Sequence, residues 1–398
     1  MTEAAENRMS DKAAQAQAAT HPPQPLHSPP PWLSTFSPIP LLRNGHLQTL
    51  AGNYWRRIPF APPAIAEPVL VDPTDGSRVL CHCHWQPEPL RSTALTLLLV
   101  HGLEGSSNSR YMLGISRLAW NAGCNIIRMN MRNCGGTESW SPTLYHSGMS
   151  SDIEAVLRHF VTREHLQRVA MIGYSMGGNL VLKLAGELSS NTPAWLTGAV
   201  GVSPAMDLAP SADALHEPAN RFYEWHFLRN LMQRFRRKAS LYPDRYEGYP
   251  RNPIPTIRAF DHEITAPLSG FSSADDYYHR ASSARVAQAI RIPTLVLHAL
   301  DDPFIRMLPE TRQKLLNNPS ISFLETDHGG HCAFLQNKPL PEAGTAAGRH
   351  WAEETAVNFL LTHDQEASER SGTKNPHHGN SKSSNRNDTE SMEQAIGS

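Results

Sequence analysis

The amino-acid sequence predicts an α/β protein: a mostly parallel eight-stranded sheet with helices on both faces and a helical lid inserted late in the chain. Three observations carry that expectation. Short apolar, β-branched runs alternate with helix-period patterns from about residue 32 to residue 362, the trace that strand–helix–strand units leave in a sequence. One strand-like run, Val169-Ala-Met-Ile172, passes directly into the glycine-flanked turn Gly173-Tyr-Ser-Met-Gly177 and then a helical pattern. The stretch from about 206 to 289 breaks the rhythm and is too long for a plain connection inside a compact unit.

Taken in order, residues 21–31 read HPPQPLHSPPP, with six prolines that favour polyproline II over helix or sheet; residues 1–31 are expected to be a disordered arm. Candidate strands are Val69–Val71, Val79–Trp85, Leu95–Val100, Asn125–Met129, Val169–Ile172, Ala199–Val202, Thr294–His298 and Ser322–Glu325. Helices are expected to begin near Arg110, Ser150, Met176 and Leu308, with a last one over Trp351–Leu361. Within the insertion, Trp225, Leu228, Met232 and Phe235 recur at helical spacing. From 363 to 398 only Ala367, Met392, Ala395 and Ile396 are apolar, so this tail is expected to be disordered. Its His377-His378 pair offers too few ligands for a metal.

Composition narrows the class. Thirty-six Lys and Arg against 37 Asp and Glu leave a formal charge of −1, which excludes a general nucleic-acid binder. No run approaches the ~18 apolar residues of a membrane span. The first twenty residues lack the apolar segment of a secretory signal. Five cysteines, Cys81, Cys83, Cys124, Cys134 and Cys332, are an odd number that fits reduced thiols. The expected compartment is the cytoplasm.

The chemistry centres on Ser175. A strand–turn–helix context around G-x-S-x-G is that of a nucleophile elbow, which lifts a serine above the sheet edge. A nucleophilic serine needs a base, and the base needs a carboxylate to orient it. Downstream, the strand Thr294–His298 runs into Asp301 and Asp302, either of which stands where an orienting acid is expected. After the last strand comes Thr326-Asp-His-Gly-Gly-His331; His331 is the expected base and His328 the runner-up. The loop His101-Gly-Leu-Glu-Gly105 follows an earlier strand, so the backbone amides of Leu103 and Met176 are the expected oxyanion donors. The neighbouring His101, Gly102 and Tyr174 are expected at the substrate pocket, with His101 acting as a hydrogen-bonder rather than a second base.

Two other groups receive plainer readings. In Cys81-His-Cys-His84 a strand would place cysteines on one face and histidines on the other, so neither side offers three metal ligands. Arg229, Arg234, Arg236, Arg237 and Lys238 read first as a solvated helix face; the second reading is a cationic surface making weak peripheral contact with anionic lipid.

With these segments in view, the chain resembles the α/β-hydrolases, and more closely their YheT-like branch, over roughly residues 38–361. The segments that carry the likeness include Asn44-Gly-His-Leu-Gln-Thr49, His101–Gly105, Met131-Arg-Asn-Cys-Gly-Gly136, Tyr145-His146, Gly173–Gly177, Phe260-Asp261, Asp275-Asp-Tyr-Tyr278, Asp301-Asp-Pro303 and His328–His331. The resemblance implies an α/β-hydrolase fold and a serine hydrolase whose triad is Ser175, Asp302 and His331. Asp302 is favoured over Asp301 because many members place the acid three residues before an apolar one, as Asp302 stands to Ile305. Carboxylic esters of short- to medium-chain or lipid-like acids are the implied substrates, with no metal or organic cofactor. An acyltransferase or thioesterase on the same fold, or a non-catalytic binding protein, are the alternatives.

Overall fold

Apolar runs long enough for one strand and buried on both sides are what the middle of a parallel sheet needs. The structure is a computed structural model that describes residues 30–55, 57, 60, 67–72, 76–338 and 348–370. The strands are β1 (Glu67–Val71), β2 (Val79–His84), β3 (Thr96–Val100), β4 (Asn125–Met129), β5 (Val169–Tyr174), β6 (Leu196–Val202), β7 (Thr294–Ala299) and β8 (Ile321–Thr326). Their order is β1-β2-β4-β3-β5-β6-β7-β8. Only the pairings of β2 with β1 and β4 are antiparallel; every pairing from β4 to β8 is parallel. Among the eight strands, β3, β4, β5 and β7 are buried throughout.

The helices are α1 (Gly45–Tyr54), α2 (Arg110–Asn121), α3 (Ser150–Glu164), α4 (Met176–Leu188), α5 (Leu208–Leu215), α6 (Arg221–Leu241), α7 (Ala274–Ala281), α8 (Pro309–Leu316) and α9 (Trp351–Arg370), with shorter helical turns between them. Side chains of β5 alternate. Val169 and Met171 join the core under α3, α4 and α8, whereas Ala170, Ile172 and Tyr174 join the core under α2 and α9. A third core lies inside the insertion, where Leu208, Leu215, Leu231, Phe235, Phe260 and Tyr278 pack with Phe304 and Ile305 from the loop after β7. Among the described residues no helix is long and apolar enough to cross a membrane.

Two elements depart from the sequence expectation. Helix α9 runs to Arg370, so residues 363–370 are helix where a disordered tail was expected. Once a helix is nucleated, good helix formers extend it at little cost. Here Arg168 also anchors the extension, donating to Asp364 at 2.5 Å and to Ser368 at 3.0 Å. The rest of that tail, with His377-His378, and the arm before residue 30 lie outside the described residues. Helix α1 had no counterpart in the sequence reading because its polarity is inverted. Its buried positions are Gly45, Gln48, Thr49 and Gly52, while Leu47 and Leu50 are exposed.

The basic run on α6 matches its first reading only in part: Arg229, Arg236 and Arg237 are exposed. Arg234 and Lys238 point inward rather than to solvent or lipid, because carboxylate and carbonyl acceptors lie beneath them. Arg234 binds Glu104 with Nε–Oε1 and Nη2–Oε2 at 3.1 and 3.2 Å, and Lys238 donates to the carbonyls of Glu138 and Ser141. Cys81 and Cys83 share the buried face of β2. His82 and His84 face the other way, bound to Ser107 and Arg128.

Candidate active site

The turn between β5 and α4 is as sharp as the sequence requires. Ser175 sits at φ 55°, ψ −117°, a conformation costly for a residue with a side chain. Its N–H donates to the Val202 carbonyl at 2.9 Å, and its own carbonyl accepts from Asn179 at 3.0 Å, so both neighbours hold the strained residue. A Cβ at Gly173 would lie 2.1 Å from the Gly177 oxygen, and one at Gly177 would lie 2.4 Å from the carbonyl oxygens of Val100 and His101. Glycine at both positions is therefore a packing requirement.

Asp302, after β7, and His331, after β8, meet each other; among the described residues no hydrogen bond joins Ser175 Oγ to His331. The imidazole Nδ1–H donates to Asp302 Oδ2 at 2.8 Å. The other oxygen, Oδ1, accepts the amides of Phe304 and Ile305 at 3.1 and 2.9 Å. Burial alone would raise the Asp302 carboxyl, but His331, the Ile305 amide and His298 outweigh it and hold it below its ordinary value. Burial would likewise depress His331; Cys332 and Asp302 overcome that and raise it. Phe304 packs on the ring with centroids 4.3 Å apart, and Cys332 Sγ lies 3.7 Å from Nε2. The runners-up form a separate pair: Asp301 Oδ2 faces His328 Nδ1 at 3.5 Å, and its Oδ1 accepts the Gly330 amide at 2.8 Å. Asp301 thus braces the loop that carries His331.

Helix α1 braces the same loop from outside. Asn44 caps it by accepting the amides of His46 and Leu47. Gly45 packs so tightly on the Asp301 backbone that a Cβ would sit 1.8 Å from its carbonyl oxygen. Thr49 Oγ1 then accepts the His331 amide at 2.8 Å, and Gln48 Oε1 accepts that of Leu335 at 2.9 Å. These contacts give the segment Asn44–Thr49 its purpose, which spacing alone did not show.

In the loop after β3 the amides are already engaged on either side of Leu103. Gly102 N–H donates to Tyr111 Oη at 2.9 Å, Glu104 N–H to Tyr145 Oη at 3.1 Å, and Gly105 N–H to the Gly102 carbonyl at 3.1 Å. Among the described hydrogen bonds of residues 102–105, the Leu103 amide has no acceptor. Met176 is the first residue of α4, so its amide has no intrahelical acceptor either. Glu104 is held by Tyr145 Oη at 2.6 Å and by Arg234 of the lid.

Ser175, Leu103 and Met176 line a cavity of about 110 Å³ under the insertion. Its apolar wall includes Leu208, Leu215, Phe227, Leu231, Phe260, Phe304 and Ile305. Three expected pocket residues do not line it. Tyr174 points to the opposite face of the sheet, packed on Tyr111 with ring centroids 4.6 Å apart, because neighbours on a strand alternate sides. His101 is fully buried. It donates from Nδ1 to the Gly102 carbonyl at 2.8 Å and accepts the Met131 amide on Nε2 at 3.1 Å; burial depresses it to about 4, so it is a neutral structural group. Gly102 lies against Ser175 through its backbone, where a Cβ would come within 3.1 Å of the serine Cβ, and it shapes the turn rather than the cavity wall. The sequence reading missed Tyr145, His146, Asp261, Tyr277 and Tyr278, which do line the cavity. Their only signal was membership of the family-like segments. Among the described residues no three His, Cys, Asp or Glu side chains group as a metal site needs.

A strained serine at a strand–helix elbow of a parallel sheet, and an acid–histidine pair from the last two strand exits, point to one class, and the profile of the α/β-hydrolase fold matches residues 96–338. The chain belongs to the α/β-hydrolase family, in its YheT-like branch. It is 31% identical over 337 residues to the Escherichia coli K12 protein named "Putative esterase YheT", covering 82% of this chain and 93% of that one. It is 30% identical over 280 residues to the monoacylglycerol lipase of Saccharomyces cerevisiae, covering 68% and 60%. With the mouse phospholipase ABHD3 it shares 29% over 246 residues, covering 62% and 59%, so the chain spans about three-fifths of the length of the latter two.

Proposed function

We propose that the protein hydrolyses carboxylic esters of short- to medium-chain or lipid-like acids through Ser175, His331 and Asp302. The observation that carries this reading is the 2.8 Å contact between His331 and Asp302 beside a cavity that has Ser175 in its wall. With its proton held on Nδ1 by Asp302, His331 keeps Nε2 free to take the Ser175 proton as the hydroxyl oxygen attacks the acyl carbonyl. The amides of Leu103 and Met176 stabilise the resulting oxyanion, a contribution of roughly 2.7–4 kcal/mol per donor in other serine hydrolases. His331 then returns the proton to the departing alcohol, and water releases the acid from Ser175 by the same steps in reverse order. The cavity, on the order of the ~150 Å³ that admits a benzene-sized group, suits a short or medium acyl chain.

The reading extends to setting. Five free cysteines, Cys332 half-buried and the others buried, fit a reducing compartment such as the cytoplasm. Contact with a lipid surface rests on Phe222 and Trp225, exposed at the start of α6, with Arg229 stacked on Trp225 at 5.5 Å.

Fluorophosphonate labelling of wild type and Ser175→Ala, with turnover of p-nitrophenyl esters from acetate to laurate, tests the proposal. Labelling that disappears with Ser175, and an optimum at short or medium chains, is the expected result. A folded wild type that neither labels nor turns over any ester overturns it in favour of a binding protein. Faster transfer to added alcohols or thiols than to water points to the acyltransferase alternative, and faster hydrolysis of a thioester than of the matching oxygen ester to the thioesterase.

A further inference from the structure

One wall of the cavity carries polar groups for which ester hydrolysis has no use. Asp261 is the most demanding of them. It opens a π-helical turn, Asp261–Thr265, a rare backbone form that recurs at functional sites. Its Oδ1 accepts the Thr265 hydroxyl and its Oδ2 the Tyr278 hydroxyl, each at 2.7 Å. A carboxylate accepts about four hydrogen bonds, so half of its capacity remains, and the residue lines the cavity. Burial pushes this carboxyl up to about 6, against the opposing effect of Tyr278, Thr265 and Arg258. A side-chain amide would satisfy both hydroxyls without a buried charge, so bracing the turn does not explain the residue.

On the same wall His146 supplies the complementary polarity. Its Nδ1 accepts the Gly148 amide at 3.1 Å, and burial depresses it to about 4, so the ring is neutral and its proton sits on Nε2 as a donor. The ring is held edge-on by Phe271 and Tyr277, with centroids 5.3 and 5.8 Å away. The wall thus offers an acceptor and a donor. An anion is disfavoured there by Asp261 itself, while Arg258, whose guanidinium lies 5.1 Å from the Tyr278 ring, is already paired with Asp213 and Asp275. A single hydroxyl meets both, accepting from the His146 N–H and donating to the Asp261 carboxylate.

We infer that Asp261, seated by Thr265 and Tyr278 and assisted by His146, is a hydroxyl-binding subsite, and that the preferred ester carries a free hydroxyl away from its scissile carbonyl. This rests on the hydrolase reading of Ser175 and names a substrate class for it. The hydroxyl belongs to the acyl chain or to the alcohol half, and two substrate pairs separate these sources. One pair is p-nitrophenyl 6-hydroxyhexanoate against p-nitrophenyl hexanoate; the other is glycerol monobutanoate against butyl butanoate.

Wild type is expected to favour the hydroxylated member of one pair by roughly tenfold or more in kcat/KM, the effect of a hydrogen bond to a charged group. In Asp261→Leu that ratio should fall to about one, and in Asp261→Asn to an intermediate value. A purely structural role would lower both members together and leave the ratio intact, and that result overturns the inference. So does a wild-type ratio near one in both pairs. Calorimetric binding of the four esters to Ser175→Ala keeps the two readings apart. Tighter binding of a hydroxylated member without wild-type turnover sinks the hydrolase and keeps the subsite; turnover with equal binding within each pair does the reverse.

Discussion

The hydroxyl of Thr49 accepts the backbone N–H of His331 at 2.8 Å across 282 residues of chain, and passes its own proton to the Gly45 carbonyl at 2.7 Å. The proposed general base is therefore set by a helix that contributes nothing to the sheet. Thr49→Val keeps the volume and removes the acceptor, leaving a half-buried amide unsatisfied. We expect kcat/KM to fall on the order of tenfold, with a stability loss of about 1–3 kcal/mol by urea denaturation. Unchanged kinetics at unchanged stability would sink the bracing role.

The Asp302–His331 pair sets a pH signature. A base must be neutral to act, and this one is raised above the imidazole's ordinary 6.5, so the acid limb of kcat/KM should lie above pH 6.5. In Asp302→Asn the limb should move down while kcat falls by roughly 10⁴, the loss seen elsewhere when the imidazole takes the wrong tautomer. Stability follows the same linkage. The depressed carboxyl stabilises the fold above its ordinary 3.8 and loses that effect as pH falls through its folded value; the raised imidazole stabilises below 6.5 and loses it as pH rises through its own. The pair should contribute most between those limits. A wild-type advantage in denaturation midpoint over Asp302→Asn that is flat from pH 3 to pH 9 would contradict it.

Arg234 and Glu104 tie the insertion to the loop after β3. Their side chains are 14% and 8% exposed, so removing one partner leaves a poorly solvated charge. Arg234→Met should cost about 3–5 kcal/mol, and Glu104→Gln in the same background should restore part of it. Because Glu104 holds a left-handed backbone, φ 58°, beside Leu103, kcat should fall along with stability. Additive stability losses in the double-mutant cycle would show that the two do not act together.

The sheet and the elbow were legible because their signals are local. A parallel strand is a continuous apolar run, and Gly173–Gly177 carries its whole geometry in five residues. Asp302 and His331, the proposed acid and base, were singled out by their positions after strands and, for Asp302 over Asp301, by the family resemblance; the structure brings those two together while Asp301 and His328 pair beside them. What stayed hidden depends on long-range polar contacts. Helix α1 buries Gln48 and Thr49 against a loop from the other end of the chain, so no apolar periodicity marks it. Arg234 and Lys238 read as surface residues until acceptors from residues 104, 138 and 141 lie beneath them. Tyr174 was misplaced by proximity in sequence, since the residue before the nucleophile belongs to the opposite face of the strand.

Asp261 allows a last test that needs no substrate. Its carboxyl is raised from 3.8 to about 6, so the folded protein holds that proton more tightly than the unfolded chain. The ionised form therefore costs stability, and the loss sets in as pH rises from 3.8 through 6. At 1.36 kcal/mol per pH unit it reaches roughly 3 kcal/mol near neutrality. Asp261→Asn has no such titration, while Asp302 and His331 titrate in both proteins and cancel from the comparison. Urea denaturation at pH 4 and pH 7 should show the variant gaining up to about 3 kcal/mol on wild type between the two. An equal difference at both pH values would mean that the carboxyl ionises freely, in contact with water rather than enclosed by the cavity wall. A gain of the expected size would mean that the native protein keeps a destabilising charge in its substrate cavity, the trade expected where a residue serves binding rather than folding.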